Sequence, residues 1–265
     1  TENGTTATLT ASDDAAGIGG GENENTGSIN IHGGKITAMG GYAPGIGGGY
    51  CTDYNNKTYG GTIVIYGGEI NATAGSQSAG IGSASGNAGG SVTIYGGTIN
   101  ASSLQLAPGI GSGRADVIGV DVTIYGGIIN AQGGNSYSGG TGIGGGYNGK
   151  CGNITINGGT VTAIGGVDDS GQGGPGIGGG QNGTGIGNIV INGGTVTAIG
   201  KGGSAGIGGF RSNSGSAGAN VTINGGTVIA SGSTVEGTGY TYDEEIWDRI
   251  DITYSYTWVA IGCSS

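Results

Sequence analysis

The chain has 265 residues, 72 of them Gly, with 9% charged residues, one Phe, one Met and a formal net charge of −10. That inventory excludes a core of Phe, Leu and Met, and seven Lys and Arg cannot build the basic surface that nucleic acid or anionic membranes require. Glycine in a strand interior costs roughly 0.5–1 kcal/mol relative to Ala, so its abundance points to positions where the backbone demands it.

From the first residues onward the chain is a repeat. The segment "NGTTATLTASDDAAGIGG" reads as a corner, a strand word at Leu9-Thr10-Ala11, and a loop leading into the first "GIG" triplet. Triplets then begin at Gly17, Gly45, Gly80, Gly109, Gly142, Gly176 and Gly206, so the period is 28–35 residues. Each is followed by a word like "ITI", an "NGG"- or "YGG"-type corner, and a word like "TVTA". Taken alone, "NITINGGTVTA" from Asn153 looks like a hairpin, because Asn-Gly between alternating apolar runs is the strongest short-range hairpin signal. Its return from Asn188 and Asn220 argues instead for a corner in which Asn tolerates, and Gly supplies, left-handed backbone.

Three short β-branched words per period predict an all-β parallel β-helix with a three-sided coil, right-handed by the general rule for parallel crossovers. In the coil from Gly142 the inward residues are Ile143, Ile154, Ile156, Val161 and Ala163. The predicted domain is single, 1–265: a partial coil over 1–16, coils starting at 17, 45, 80, 109, 142, 176 and 206, an insertion over 231–260 and a final rung over 260–265. Fixed apolar offsets set this chain apart from a disordered Gly-rich linker.

The words "GIGGG" and "ITINGGTVTA" over residues 7 to 230 resemble the Gly-rich β-helix repeats of large secreted and cell-wall surface proteins of Gram-positive bacteria. The resemblance implies an extracellular, cell-surface or secreted location and an adhesin-like role. It also implies a glycan or a host or bacterial surface protein as partner, with no nucleic acid and no membrane insertion. The chain then reads as a section of a longer polypeptide.

Catalysis is not expected. The one histidine, His32, lies in the outward corner column with Tyr66, Tyr95, Tyr125, Asn157, Asn192 and Asn224. Arg114 and Arg211 fall in related loops too many coils apart to act together. Asp13-Asp14 and Asp168-Asp169 are loop pairs remote from each other, which is not the glycosidase arrangement of two carboxylates about 5–10 Å apart. Cys51 and Cys151 occupy equivalent loops three coils apart, about 14 Å at the usual stacking distance, beyond disulfide reach. Free thiols are expected there and at Cys263. Thr160, Thr162, Thr195 and Thr197 make two Thr-x-Thr pairs of the kind that bind ice, but Glu69, Asn71, Ile128 and Ile229 interrupt the rows.

Two features could bind a ligand. Tyr66, Tyr95 and Tyr125 fall in successive coils as an outward aromatic ladder beside Asn71, Asn100 and Asn130. Such a ladder serves either sugar stacking or self-stacking that stiffens the rod. The insertion holds both tryptophans, and "IDITYSYTW" alternates with period two. Its predicted hairpin, turning around Asp243 to Asp248, is either a lid or an aromatic platform of Trp247, Tyr254, Tyr256 and Trp258. Asp243, Glu244 and Glu245 at its tip could hold sugar hydroxyls or a calcium ion, and no other cofactor is expected.

Overall fold

A computed structural model describes residues 6–52, 58–115, 118–136, 139–183, 185, 187–210, 219–242, 249–257 and 261–262, with backbone alone from Thr234 onward. Three parallel sheets of eight, eight and seven strands run the length of the molecule, and the described residues contain no helix. Each sheet gathers one word from every coil. The "TVTA" sheet runs from Thr6–Thr10 to Thr227–Ser231, the "GIG" sheet from Ile18–Gly19 to Ile261–Gly262, and the "ITI" sheet from Ser28–Ile31 to Val221–Ile223.

The hairpin reading of "ITINGGTVTA" is excluded by the pairing. Strand Ile154–Ile156 pairs with Val122, Thr123 and Ile124 before it and with Ile189–Ile191 after it, while Thr160–Ile164 pairs with Ile128–Gln132 and Thr195–Ile199. The residues between are therefore a corner. Its left-handed residue is always the second glycine, from Gly34 at φ 96° to Gly226 at φ 90°. No corner Asn shares that conformation. The expected backbone role for Asn is replaced by a side-chain one: Asn192 Nδ2 donates to Asn157 Oδ1 and Asn224 Nδ2 to Asn192 Oδ1, each at 2.8 Å.

The interior matches the alternation. Ile143, Ile154, Ile156, Val161 and Ala163 are fully buried, and an Ile column (Ile46, Ile81, Ile110, Ile143, Ile177, Ile207) runs up the "GIG" sheet with no exposed surface. Burying one such side chain is worth roughly 1.5–3 kcal/mol, so a core poor in aromatics is built by repetition. Each coil's interior is covered by its neighbours: Ile191 is fully buried, whereas Ile223, on the last strand of that sheet, is 44% exposed.

The first strand corrects one expectation. Thr6–Thr10 pairs with Lys35–Met39 so that Ala7 faces Ile36 and Leu9 faces Ala38. The strand word is therefore two residues earlier than Leu9-Thr10-Ala11, and Thr6-Ala7-Thr8-Leu9 is the "TVTA" equivalent. At the other end, Ile261–Gly262 pairs with Ile207–Gly208 as the expected eighth rung. Between Ser231 and that rung, Thr234–Tyr242 and Arg249–Thr257 form a two-stranded antiparallel sheet that shares no pairing with the other three sheets.

Candidate functional sites: two outer ladders and a groove over the GIG sheet

The corner column is a continuous ring stack. His32 lies 4.6 Å from Tyr66, Tyr66 5.3 Å from Tyr95 and Tyr95 4.9 Å from Tyr125, with interplanar angles of 1° to 5°. The three tyrosines are about half exposed, but through their edges, since their faces lie against one another. An arriving sugar therefore meets ring edges along this column. Alongside it, Asn100 Nδ2 donates to Asn71 Oδ1 and Asn130 Nδ2 to Asn100 Oδ1, both at 2.9 Å. These amides line a shallow concavity of about 270 Å³ on the "TVTA" sheet.

The hairpin register sets Tyr254 opposite Gly237 and Tyr256 opposite Val235. Trp247, Trp258, Asp243, Glu244 and Glu245 lie outside the described residues, as do Arg211 and Cys263. Among the described residues no group of three or more His, Cys, Asp or Glu is placed to hold a metal ion.

The third feature was not foreseen from the sequence. On the "GIG" side, the loop after each of three triplets is bonded to the loop before the preceding triplet. Tyr50 N–H donates to the Asp14 carbonyl at 2.9 Å, Arg114 N–H to the Gln77 carbonyl at 2.9 Å and Tyr147 N–H to the Leu106 carbonyl at 3.0 Å. Along these linked loops runs a groove of about 920 Å³, from Asp13 at one end to Gln181 at the other. That lies within the usual 300–1,000 Å³ of small-molecule sites.

Among the described residues its lining is mainly amides and rings, with one cation, Arg114, and one anion, Asp13. Arg114 Nη1 donates to Gln77 Oε1 at 2.9 Å, and its Cζ sits 5.8 Å from the centroid of the Tyr147 ring, within cation–π range. Ser76 Oγ donates to Gln105 Oε1 at 2.7 Å and Gln181 Nε2 to Gln172 Oε1 at 3.3 Å. Two buried polar atoms of the lining, Arg114 Nε and Gln181 Oε1, have no hydrogen-bond partner among the described residues. Tyr42 and Leu104 add apolar surface that is 49% and 62% exposed.

One signal in the sequence could have revealed the groove. Five residues after the start of successive triplets stand Glu22, Tyr50, Ser85, Arg114, Tyr147 and Gln181, mostly large polar or aromatic residues in otherwise Gly-rich loops. The unequal lengths of the loops before the triplets hide the residues this column meets there, such as Gln77 and Leu106.

The remaining reactive groups are subdued. Asp168 Oδ1 accepts from the N–H groups of Ser170 and Gln172, both at 2.9 Å, and so stabilises its own turn. Cys51 and Cys151 are buried and not joined in a disulfide. Burial pushes the Cys151 thiol up to about 12, so it is not a thiolate nucleophile near neutrality. Burial, with Glu22 and Asp13 beside it, raises the Asp14 carboxyl, while the hydrogen bond from Lys35, at 2.8 Å, lowers that of Glu69.

Parallel strands stacked in three sheets with one word of each coil per sheet define a β-solenoid. The chain belongs to the beta helix repeat family, whose profile matches residues 29–50, 63–87, 92–114, 154–181, 189–212 and 221–240, more than half of the chain. Comparison with curated proteins and with solved structures gave no match.

Proposed function

We propose that this chain is a non-catalytic, extracellular section of a surface protein, a rod that spaces or displays adhesive parts. One observation carries the reading: the outer side chains bond to their own repeats. Tyr rings stack on Tyr rings, Asn amides bond to Asn amides, and Lys35 pairs with Glu69 in the next coil. Such ladders stiffen a stacked β-structure without presenting a reactive constellation. The low charge and acidic balance fit a section that does not hold nucleic acid or anionic membrane. The test has two arms. Antibody against the chain should label intact, unpermeabilised source cells. Incubation with pectin, xylan and glycosaminoglycans should release no reducing ends above buffer. Labelling only after lysis would remove the extracellular reading, and sugar release that depends on the folded chain would remove the non-catalytic one.

The groove supports a second reading, carbohydrate binding. Its amides both donate and accept, as sugar hydroxyls do, and its exposed Tyr and Leu surfaces suit sugar faces. This reading uses neither the ring ladder nor the hairpin. Titration of short oligosaccharides into isotope-labelled chain should shift the NMR amide signals of groove residues, and the absence of shifts across a broad panel would remove the reading.

A further inference from the structure

We propose that the groove over the "GIG" sheet is an acidic-sugar site: it takes a linear oligosaccharide carrying an isolated carboxylate, with that carboxylate on Arg114. The inference rests on the carbohydrate reading above and goes further, naming the ligand class and its orientation.

The charge arrangement comes first. Among the described residues of the lining Arg114 is the one cation and Asp13 the one anion, and Asp13 belongs to the loop before the first triplet whereas Arg114 follows the fourth. An acidic residue is favoured part-way along the groove, where Arg114 meets Gln77, and disfavoured near Asp13, where neutral sugars fit. The net charge of −10 works against a long polyanion, so one carboxylate on an otherwise neutral chain suits the site better than a continuous run.

The guanidinium is also preorganised. Gln77 Oε1 holds Nη1 and the Tyr147 ring lies within cation–π range of Cζ, so the side chain loses less freedom when it binds. A planar guanidinium matches a carboxylate bidentately. On the same lining, Arg114 Nε and Gln181 Oε1 are a buried donor and a buried acceptor without a partner among the described residues, and a sugar satisfies them by drawing the two side chains into the groove.

A peptide is the obvious competitor, and the backbone argues against it. Peptides that bind as an added strand need a free strand edge. Here the N–H groups of Tyr42, Arg114 and Tyr147 are already donated to Asp13, Gln77 and Leu106, so the walls offer side chains, not a main-chain ladder.

The test uses the full chain and matched pairs of probes in titration calorimetry, each acidic member carrying one carboxylate: 3′-sialyllactose against lactose, and glucuronosyl-xylobiose against xylobiose. The acidic member of at least one pair should bind about tenfold more tightly than its neutral counterpart. Arg114→Gln should abolish that ratio, and Arg114→Lys should retain part of it, because the charge remains and the fork is lost. The ratio does not depend on the fraction of folded protein, so a variant of lowered stability is still informative. Should Arg114→Gln not fold at all, Arg114→Lys decides, and an undiminished ratio there overturns the bidentate assignment. If both members bind equally and Arg114→Gln changes nothing, the carboxylate assignment is overturned while carbohydrate binding stands. If no probe binds, both fall. Equal binding of a tetraglutamate peptide overturns the sugar class and leaves only a charge site.

Discussion

At Gly144 and Gly178 the backbone takes φ of 141° and 145°, and a Cβ there would lie 1.9 Å and 1.8 Å from the carbonyl oxygen of the equivalent glycine in the next coil. Neither the conformation nor the space admits a side chain. Val at either position should therefore destabilise by ~3 kcal/mol or more, well above the ~1 kcal/mol spread of strand propensity. Thermal melting followed by circular dichroism checks this. Gly27 supplies the contrast, with ordinary φ and nothing within 4 Å of a built Cβ, so Gly27→Ala should stay within about 0.5 kcal/mol of the parent. Equal melting of Gly144→Val and Gly27→Ala would show that the "GIG" backbone relaxes without penalty. The need for glycine at Gly144 was legible in the repeated triplet. Its cause, a carbonyl of the next coil, was not, because that atom lies in another repeat.

At the scale of the strand, the outer ladders make neighbouring coils interdependent. Asn100 gives one amide hydrogen bond to Asn71 and takes one from Asn130. Asn100→Ala should cost about 1–2 kcal/mol, two bonds at roughly 0.5–1.5 kcal/mol each. The double change Asn100→Ala with Asn130→Ala should cost less than the sum of the single changes, since the two share a bond. Urea denaturation of the three variants measures this, and strict additivity would mean that the amides bond to water instead. The alternation in "TINAS" and "ITI" made these strands readable. Register was harder at the first strand, where "TATLT" alternates Thr with apolar residues throughout and a shift of two preserves the pattern. Only pairing with Lys35–Met39 sets Leu9 opposite Ala38.

At the scale of the whole molecule, the hairpin interrupts the chain without interrupting the solenoid. Its two strands pair only with each other, and Ile261 regains the rung opposite Ile207. Replacing Gly237 to Trp258 by a short Gly-Ser bridge should leave the three parallel sheets folded, with the circular dichroism of a β-solenoid and a Tm within a few degrees of the parent. Loss of the cooperative transition would make the hairpin a structural cap. If the groove is the ligand site, the truncated chain also retains its sugar binding. Loss of binding with retained fold would return attention to Tyr254, Tyr256 and the tryptophans.

By itself the sequence determined the architecture: the three-sided coil, the inward Ile, Val and Ala positions, the glycine columns, the eighth rung and the hairpin within the insertion. All of these are periodic, and periodicity survives in one dimension because each coil repeats the same local chemistry. The tertiary structure decided what lies between repeats. Of the two readings the sequence left for the tyrosine column, sugar stacking and self-stacking, it selected the self-stack, because coils set one strand spacing apart bring identical rings into van der Waals contact. It also brought Gln77, Arg114 and Tyr147 to one groove, because loops before and after different triplets fold toward each other across the "GIG" sheet. The loops before the triplets vary in length, and only a coil closing back on its neighbour makes residues some 30 positions apart adjacent.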